Sequence, residues 1–139
     1  MSAAAVKELE DLHKKLINEV ESYKTLQTNF EKARGARQTL EAQLLENESV
    51  YSELSMVGAD SKIFKLVGPV LITQNLDDSK QNVQKRIDYI NGELKRQENA
   101  LKDLGKKSQI QKDIINSLQK TINDRRMELS NAAGSNSGQ

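Results

Sequence analysis

Residues 62–74 constrain the fold of this chain most strongly, because strand-forming side chains cluster there and nowhere else. The segment reads Lys-Ile-Phe-Lys-Leu-Val-Gly-Pro-Val-Leu-Ile-Thr-Gln and contains the single proline of the sequence, Pro69. β-Branched and aromatic residues suit a pleated surface, and a Gly-Pro pair between two short apolar runs favours a turn. The sequence therefore predicts one β-hairpin over residues 62–74.

The predicted hairpin is apolar on both faces. Pairing across Gly68-Pro69 divides seven apolar residues between the faces, with Phe64, Leu66 and Leu71 on one side and Ile63, Val67, Val70 and Ile72 on the other. An isolated two-stranded hairpin is marginal in water and leaves two strand edges open to pairing. Because no other segment resembles a strand, we expect these seven residues to assemble with strands of other chains.

A heptad repeat precedes the hairpin, from residue 6 to about residue 54. Its core positions recur every seven residues in two series, one starting at Leu9 and the other at Leu12, and most of them are apolar. The repeat is longer than the three or four heptads that make a coiled coil credible. Three polar residues occupy core positions and can fix the register of the pairing: Glu19, Arg37 and Asn47.

A second heptad repeat follows the hairpin, over residues 76–129. Its two core series start at Leu76 and at Lys80. Asn75 can cap this helix, and the carboxylates of Asp77 and Asp78 suit the positive end of its dipole. The sequence therefore predicts a second long helix.

Two long helices joined by a compact hairpin are expected to fold back as an antiparallel two-helix coiled coil. The fold class is mainly α, with one coiled-coil domain over residues 6–129. If facing residue numbers sum to 130 or 131, leucines meet apolar residues along most of its length, and Glu19 faces Gln111. We expect residues 1–5 to be flexible and residues 130–139, which lack apolar periodicity, to be a disordered tail.

The composition excludes several classes of protein. Hydrophobic residues make up 36% and aromatic residues 4% of the 139 residues, which argues against a thick core enclosing a pocket. Lys and Arg number 21 against 20 acidic residues, so no net field favours nucleic acid or a membrane surface. With no cysteine, no signal peptide and no apolar run long enough to span a bilayer, we expect a soluble intracellular protein.

Candidate chemistry is sparse, so we expect neither an enzyme nor a bound cofactor. The sequence has no phosphate loop, nucleophile elbow or metal-binding cluster. His13 is the single histidine and lies on a helix flank, which favours a solvated side chain over a metal ligand or catalytic base. Asn47-Glu48-Ser49 matches a glycosylation acceptor, but its asparagine occupies a predicted core position and is better explained as a chance match.

The predicted ends of the two helices carry a second candidate surface. Six apolar residues approach one another there: Val6, Leu9, Leu12, Ile122, Met127 and Leu129. Two interpretations are open, an ordinary coiled-coil end or a flexible apolar clamp for exposed hydrophobic surface on another protein. Helix ends fray and Met adapts its shape, which would suit the second interpretation.

Three segments carry a resemblance to a known family: Arg37 to Asn47 (RQTLEAQLLEN), Phe64 to Leu71 (FKLVGPVL) and Lys85 to Ile90 (KRIDYI). They resemble the matching segments of a β-type prefoldin subunit. The hairpin segment with its flanks is specific, whereas the outer coiled coil would match many proteins. The resemblance implies a helix–hairpin–helix fold whose hairpin joins an intersubunit β-barrel in a heterohexamer of two α-type and four β-type subunits.

The resemblance also implies a function. Subunits of this family are ATP-independent co-chaperones whose coiled-coil tips hold non-native proteins, notably actin and tubulin, and deliver them to the cytosolic chaperonin. On this basis the seven hairpin residues are expected to carry assembly, and the six residues at the helix ends are expected to contact clients. Cytoplasmic localisation follows, with no nucleic-acid or membrane partner.

Two alternatives compete with a chaperone subunit. A coiled-coil scaffold or tether that links other proteins would self-associate through its heptads and leave the two-faced apolar hairpin without a role. An antiparallel coiled-coil arm that binds RNA would need a basic face, which the balanced charge does not provide.

Overall fold

The structure, a computed structural model, describes residues 2–137 and confirms the predicted mainly helical fold with one hairpin. In chain order, the elements are α1 (Ala3–Met56), β1 (Ile63–Val67), β2 (Val70–Gln74) and α2 (Leu76–Ser137). The chain divides into two compact units. We call Met1–Lys32 with Lys102–Gln139 the helix-end unit, and Ala33–Leu101 the hairpin unit.

In the helix-end unit, α1 and α2 pair antiparallel along the predicted seam. The side chain of Gln111 donates through Nε2 to the backbone oxygen of Glu19 at 2.9 Å and also to the Glu19 carboxylate. The two residue numbers sum to 130, as the heptads predicted. Leu118 and Ile122 are buried in this unit, at 8% and 3% exposure.

In the hairpin unit, the core lies mainly on α2. Val83, Ile87 and Ile90 are buried at successive core positions of the second heptad repeat. The predicted core positions of α1 that belong to this unit, from residue 33 to residue 54, are all half-buried. A coiled-coil seam one side chain thick therefore stabilises the unit, with no thick globular core.

Asn75 caps α2 as predicted. Its Oδ1 accepts hydrogen bonds from the backbone N–H of Asp77 at 2.8 Å and of Asp78 at 3.4 Å, which satisfies two otherwise unpaired donors of the first turn. The carboxylates of these two residues lie at the positive end of the helix dipole.

Both helices extend beyond the predicted span of 6–129. Residues 3–5 are helical because alanine has the highest helix propensity and Ser2 caps the helix, its Oγ accepting from the backbone N–H of Ala5 at 3.1 Å. Residues 130–137 continue α2, and residues 130–134 are exposed, in keeping with the absence of apolar periodicity there. The structure thus describes helix within both segments that were expected to be flexible or disordered; residues 1, 138 and 139 lie outside the described part.

The antiparallel register predicts which cysteine pairs can crosslink. Leu12→Cys with Leu118→Cys, whose residue numbers also sum to 130, should form a disulfide under mild oxidation because the two positions face each other across the seam. Leu12→Cys with Gln111→Cys is the matched control, displaced by one heptad or about 10 Å, and should stay reduced. Non-reducing gel mobility with mass spectrometry measures both, and a crosslink in the control alone would contradict the register.

Candidate functional site: the hairpin surface and the helix ends

The hairpin has the predicted strand register. Next to the turn, Val67 pairs with Val70 and Leu66 with Leu71. The pairing continues residue by residue away from the turn and ends with Ile63 opposite Gln74. Directly opposed residues share a face, so the predicted division of the seven apolar residues between two faces is confirmed. Thr73 completes one face, and Lys65 and Gln74 complete the other.

The turn depends on Gly68. Its φ of 57° lies in the left-handed region, where L side chains are strained, whereas Pro69 restricts its own φ to about −65°. A two-residue turn with a positive φ at the first central position is a type II′ turn, whose twist matches that of the flanking strands. Gly68-Pro69 therefore closes a tight hairpin.

We define the hairpin surface as the six exposed large apolar residues of β1 and β2: Phe64, Leu66, Val67, Val70, Leu71 and Ile72. Their exposed fractions range from 48% for Ile72 to 67% for Leu66. Single exposed apolar residues are normal on a protein surface, but a contiguous patch of them marks an interaction site. The seventh predicted assembly residue, Ile63, is half-buried.

The half-buried end of the hairpin is attached to the helices. Ile63 and Gln74 line a groove together with Val50 of α1 and Val83 of α2. Ser79, a buried residue in the first turn of α2, donates through Oγ to Oε1 of Gln74 at 3.0 Å. These contacts hold one end of the hairpin and leave the turn end exposed.

The hairpin also exposes backbone hydrogen-bonding groups. The residues that flank a two-residue turn form a hydrogen-bonded pair, and such pairs alternate with non-bonded pairs along the ladder. The backbone groups of Phe64 and Leu66 therefore point out from one edge, and those of Leu71 and Thr73 from the other. Lys65 is the single charged residue of the two strands, so little protects these edges from pairing with a further strand.

The six candidate residues at the helix ends differ in exposure. Val6 and Met127 are exposed, at 40% and 64%. Leu9, Leu12 and Leu129 are half-buried in the seam. Ile122 is buried and belongs to the core, so a client could reach it only after the helix ends separate.

Charged residues surround the helix ends. The guanidinium of Arg125 donates from Nε to both carboxylate oxygens of Glu8 at 3.1 Å, and from Nη1 to Glu128 at 3.0 Å. The hydrogen bonds to Glu8 and then to Glu128 raise the pKa of Arg125 above its ordinary value. Arg125 thereby ties α2 to α1 beside the apolar residues, a contact that the sequence analysis did not identify.

His13 contacts Nη2 of Arg126 through its Nε2 at 3.2 Å. Among residues 2–137, no group of three or more His, Cys, Asp and Glu side chains could hold a metal ion. No helix in the same range is both long and apolar enough to cross a membrane.

The fold agrees with the comparisons to known proteins. A family described as "Prefoldin subunit" matches residues 17–122. The chain belongs to the prefoldin family. This is a family of chaperone subunits rather than of enzymes, so the chain is a chaperone subunit that assembles with other prefoldin subunits.

Three relatives show how far the similarity extends. Prefoldin subunit 6 of Canis lupus familiaris is 41% identical over 123 residues, covering 88% of this chain and 95% of the relative. Prefoldin subunit 6 of Homo sapiens is 44% identical over 108 residues, covering 78% and 84%. That of Arabidopsis thaliana is 36% identical over 122 residues, covering 88% and 92%. The resemblance to a β-type prefoldin subunit is confirmed.

A solved structure shows the same fold. The crystal structure of the prefoldin beta subunit from Thermococcus strain KS-1 superposes with a TM-score of 0.70, covering 74% of this chain and 90% of the Thermococcus one. The two sequences share 17% identity, so this similarity concerns the fold alone.

Sequence reasoning missed one set of exposed residues in the hairpin unit. Leu45 and Met56 lie on the outward side of α1 and are 68% and 77% exposed. Neither occupies a core position of the heptads, so core periodicity did not single them out. The available signal was the absence of charge from the single line of outward positions that contains them, over residues 35–56.

Proposed function

We propose that this prefoldin subunit assembles through its hairpin into a cytoplasmic heterohexamer of α-type and β-type subunits. The hexamer holds non-native proteins such as actin and tubulin and passes them to the cytosolic chaperonin without hydrolysing ATP. The observation that carries the proposal is the hairpin surface, six apolar side chains that this chain leaves exposed. Membership of the prefoldin family supports assembly as the reason for that exposure.

Assembly through the hairpin follows from its chemistry. Strands from neighbouring subunits would satisfy the outward backbone groups of Phe64, Leu66, Leu71 and Thr73. The same pairing would remove the apolar side chains on both faces from water, at about 25 cal/mol per Å² of apolar area. A closed barrel has no free edge, which would also protect the assembled hairpins from further pairing.

Client binding is proposed for the apolar residues at the helix ends. Val6 and Met127 are already exposed, and Leu9, Leu12 and Leu129 need only fraying of the last turns to become accessible. Ile122 would contribute only to a more widely opened end. Several subunits acting together would strengthen such weak contacts, by roughly 10² to 10⁴ for linked sites.

The test replaces the two exposed residues so that the helical core is not altered. A complex containing this subunit with Val6→Ser and Met127→Ser should assemble normally but suppress the aggregation of denatured actin less well. Each lost apolar contact weakens client binding by about 1.5 kcal/mol, which corresponds to a roughly tenfold higher concentration of the complex for the same suppression. Light scattering during dilution of actin from denaturant measures the effect.

The matched control changes two other exposed apolar residues of the helix-end unit. Ile17→Ser with Ile110→Ser removes side chains of comparable exposure, 62% and 60%, away from the helix ends. This variant should retain suppression. If Val6→Ser with Met127→Ser suppresses aggregation as well as the unsubstituted complex does, these helix ends are not a client site.

A further inference from the structure

The outward positions of α1 change character at the border of the hairpin unit. In a heptad, three positions face away from the core seam and are usually polar or charged, and two of them, b and f, form one continuous line along the helix. Six of the eight such residues between Lys7 and Glu31 are charged. None of the next seven is: Gly35, Gln38, Ala42, Leu45, Ser49, Ser52 and Met56. All seven are exposed, and we call them the uncharged outer face.

The uncharged outer face has the spacing of a second helix-packing seam. Its members alternate at steps of three and four residues, so they form a straight line opposite the seam with α2. At 1.5 Å per residue the line is about 32 Å long. Gly35, Ala42 and Ser49 recur every seven residues and are small, which lets the backbone of a second helix approach closely.

Large apolar side chains lie on the same line. Leu45 is 68% exposed and Met56 is 77% exposed. Because both lie on the same line of outward positions, one docked helix would bury both. They provide anchors at the middle and at one end of the face.

Carboxylates border the uncharged outer face on both sides. Glu46 and Glu53 follow one side, and Glu41 and Glu48 follow the other. Glu41 pairs with Arg37 at 3.1 Å, but the other three have no side-chain partner among residues 2–137. Residues 38–61 contain five acidic and no basic residues, so the balanced charge of the whole chain hides a local acidic rim.

We propose that the uncharged outer face docks a helix of another protein chain, one with small and apolar residues along its seam and lysines or arginines on both flanks. Its seam would cover Leu45 and Met56, while its basic flanks would pair with Glu46, Glu48 and Glu53. The proposal rests on the outward side of α1 and does not depend on hairpin assembly or client binding.

The carboxylates that border the uncharged outer face favour this occupant over others. Nucleic acid and anionic lipid surfaces would be repelled by the carboxylate rim. Two copies of this face packed together would bring glutamates against glutamates. The corresponding outward positions of α2 in the hairpin unit include Lys85, Asp88 and Lys95. The outward side of α2 in a second copy is therefore charged and lacks the apolar contact residues that the proposed occupant needs.

A pair of designed peptides tests the proposal on the full chain. One is a synthetic helical peptide with leucine and alanine along its seam and lysines on both flanks, and its twin has glutamates in place of the lysines. The lysine peptide should bind more tightly, by about tenfold or more, and its binding should weaken as the Debye length falls from about 10 Å at 0.1 M salt to 3 Å at 1 M. Equal affinity for the two peptides would overturn the charge argument.

Two lysine variants locate the binding site. Ala42→Lys with Ser49→Lys puts positive charge in the centre of the face at exposed helical positions, so the fold should persist and the lysine peptide should lose its binding. Thr25→Lys with Thr28→Lys adds the same charge to exposed positions of α1 in the helix-end unit and should leave binding unchanged. If both variants bind the lysine peptide with the same affinity, the peptide binds elsewhere and the proposal fails.

Crosslinking in the assembled complex identifies the natural occupant. A photoreactive benzoyl-phenylalanine at Ser49 should crosslink to a helical segment flanked by lysines or arginines, and mass spectrometry of the adduct gives its sequence. The same probe at Thr28 is the control. An adduct to an acidic segment or to a second copy of this chain, or no adduct above the control, would contradict the proposal.

Discussion

Phe64→Asp with Leu71→Asp is expected to abolish assembly with other prefoldin subunits while leaving the helices folded. The two residues lie on the same face of the hairpin, 52% and 64% exposed, and they contribute outward backbone groups at opposite edges. Buried in a subunit interface, each new carboxylate would have no partner, and the cost of an unpaired buried charge reaches several kcal/mol. Co-expression with partner subunits and native mass spectrometry measure the loss.

The control for this prediction places the same charges outside the hairpin. Ile17→Asp with Ile110→Asp changes two residues of similar exposure in the helix-end unit, and this variant should co-purify with the other subunits. Circular dichroism should report unchanged helix content for both variants. Recovery of a complete complex with the hairpin variant would refute assembly through this surface.

Ile90→Ala is expected to destabilise the chain by about 2–5 kcal/mol. Ile90 is 5% exposed and lies beside Ile87 and Val83 on the buried side of α2. Shortening its side chain removes apolar contact and leaves a cavity, and a seam one side chain thick offers few neighbours that could fill it. Urea unfolding followed by circular dichroism measures the difference in free energy.

Ile110→Ala is the matched control on the same helix. Its side chain is 60% exposed, so the same substitution should change the unfolding free energy by no more than about 0.5 kcal/mol. A similar loss at both positions would mean that helix propensity, rather than packing along the seam, dominates the stability.

The hairpin was predictable in detail because its pattern is local. β-Branched residues alternate on either side of a two-residue turn, and that geometry fixes the register and hence the face of every side chain. The structure confirms pairs from Val67–Val70 outward and the cap at Asn75. What the local pattern could not give is which end is held by the helices, since that depends on Ser79 and Gln74 meeting across the start of α2.

The helical seam was predictable because heptads specify both the buried face and its polar exceptions. Glu19 and Gln111 meet as expected, although they are 92 residues apart in sequence. At the C-terminal end, the structure continues the helix beyond the last heptad, through residues 130–137, although Ser, Asn and Gly there have lower helix propensity than alanine. Periodicity placed Ile122 at a core position, and the packed helices bury it. Its role in client contact rests on the separate argument that helix ends fray and stays a prediction.

The native mass of the tagged chain isolated from cytosol tests the central claim most directly, that an exposed hairpin makes this protein a subunit of a larger assembly. The account predicts a particle of six prefoldin-type subunits, with this chain present alongside α-type and other β-type partners. Isolation of a homodimer, or of a complex with one unrelated protein, would contradict it and favour a coiled-coil tether.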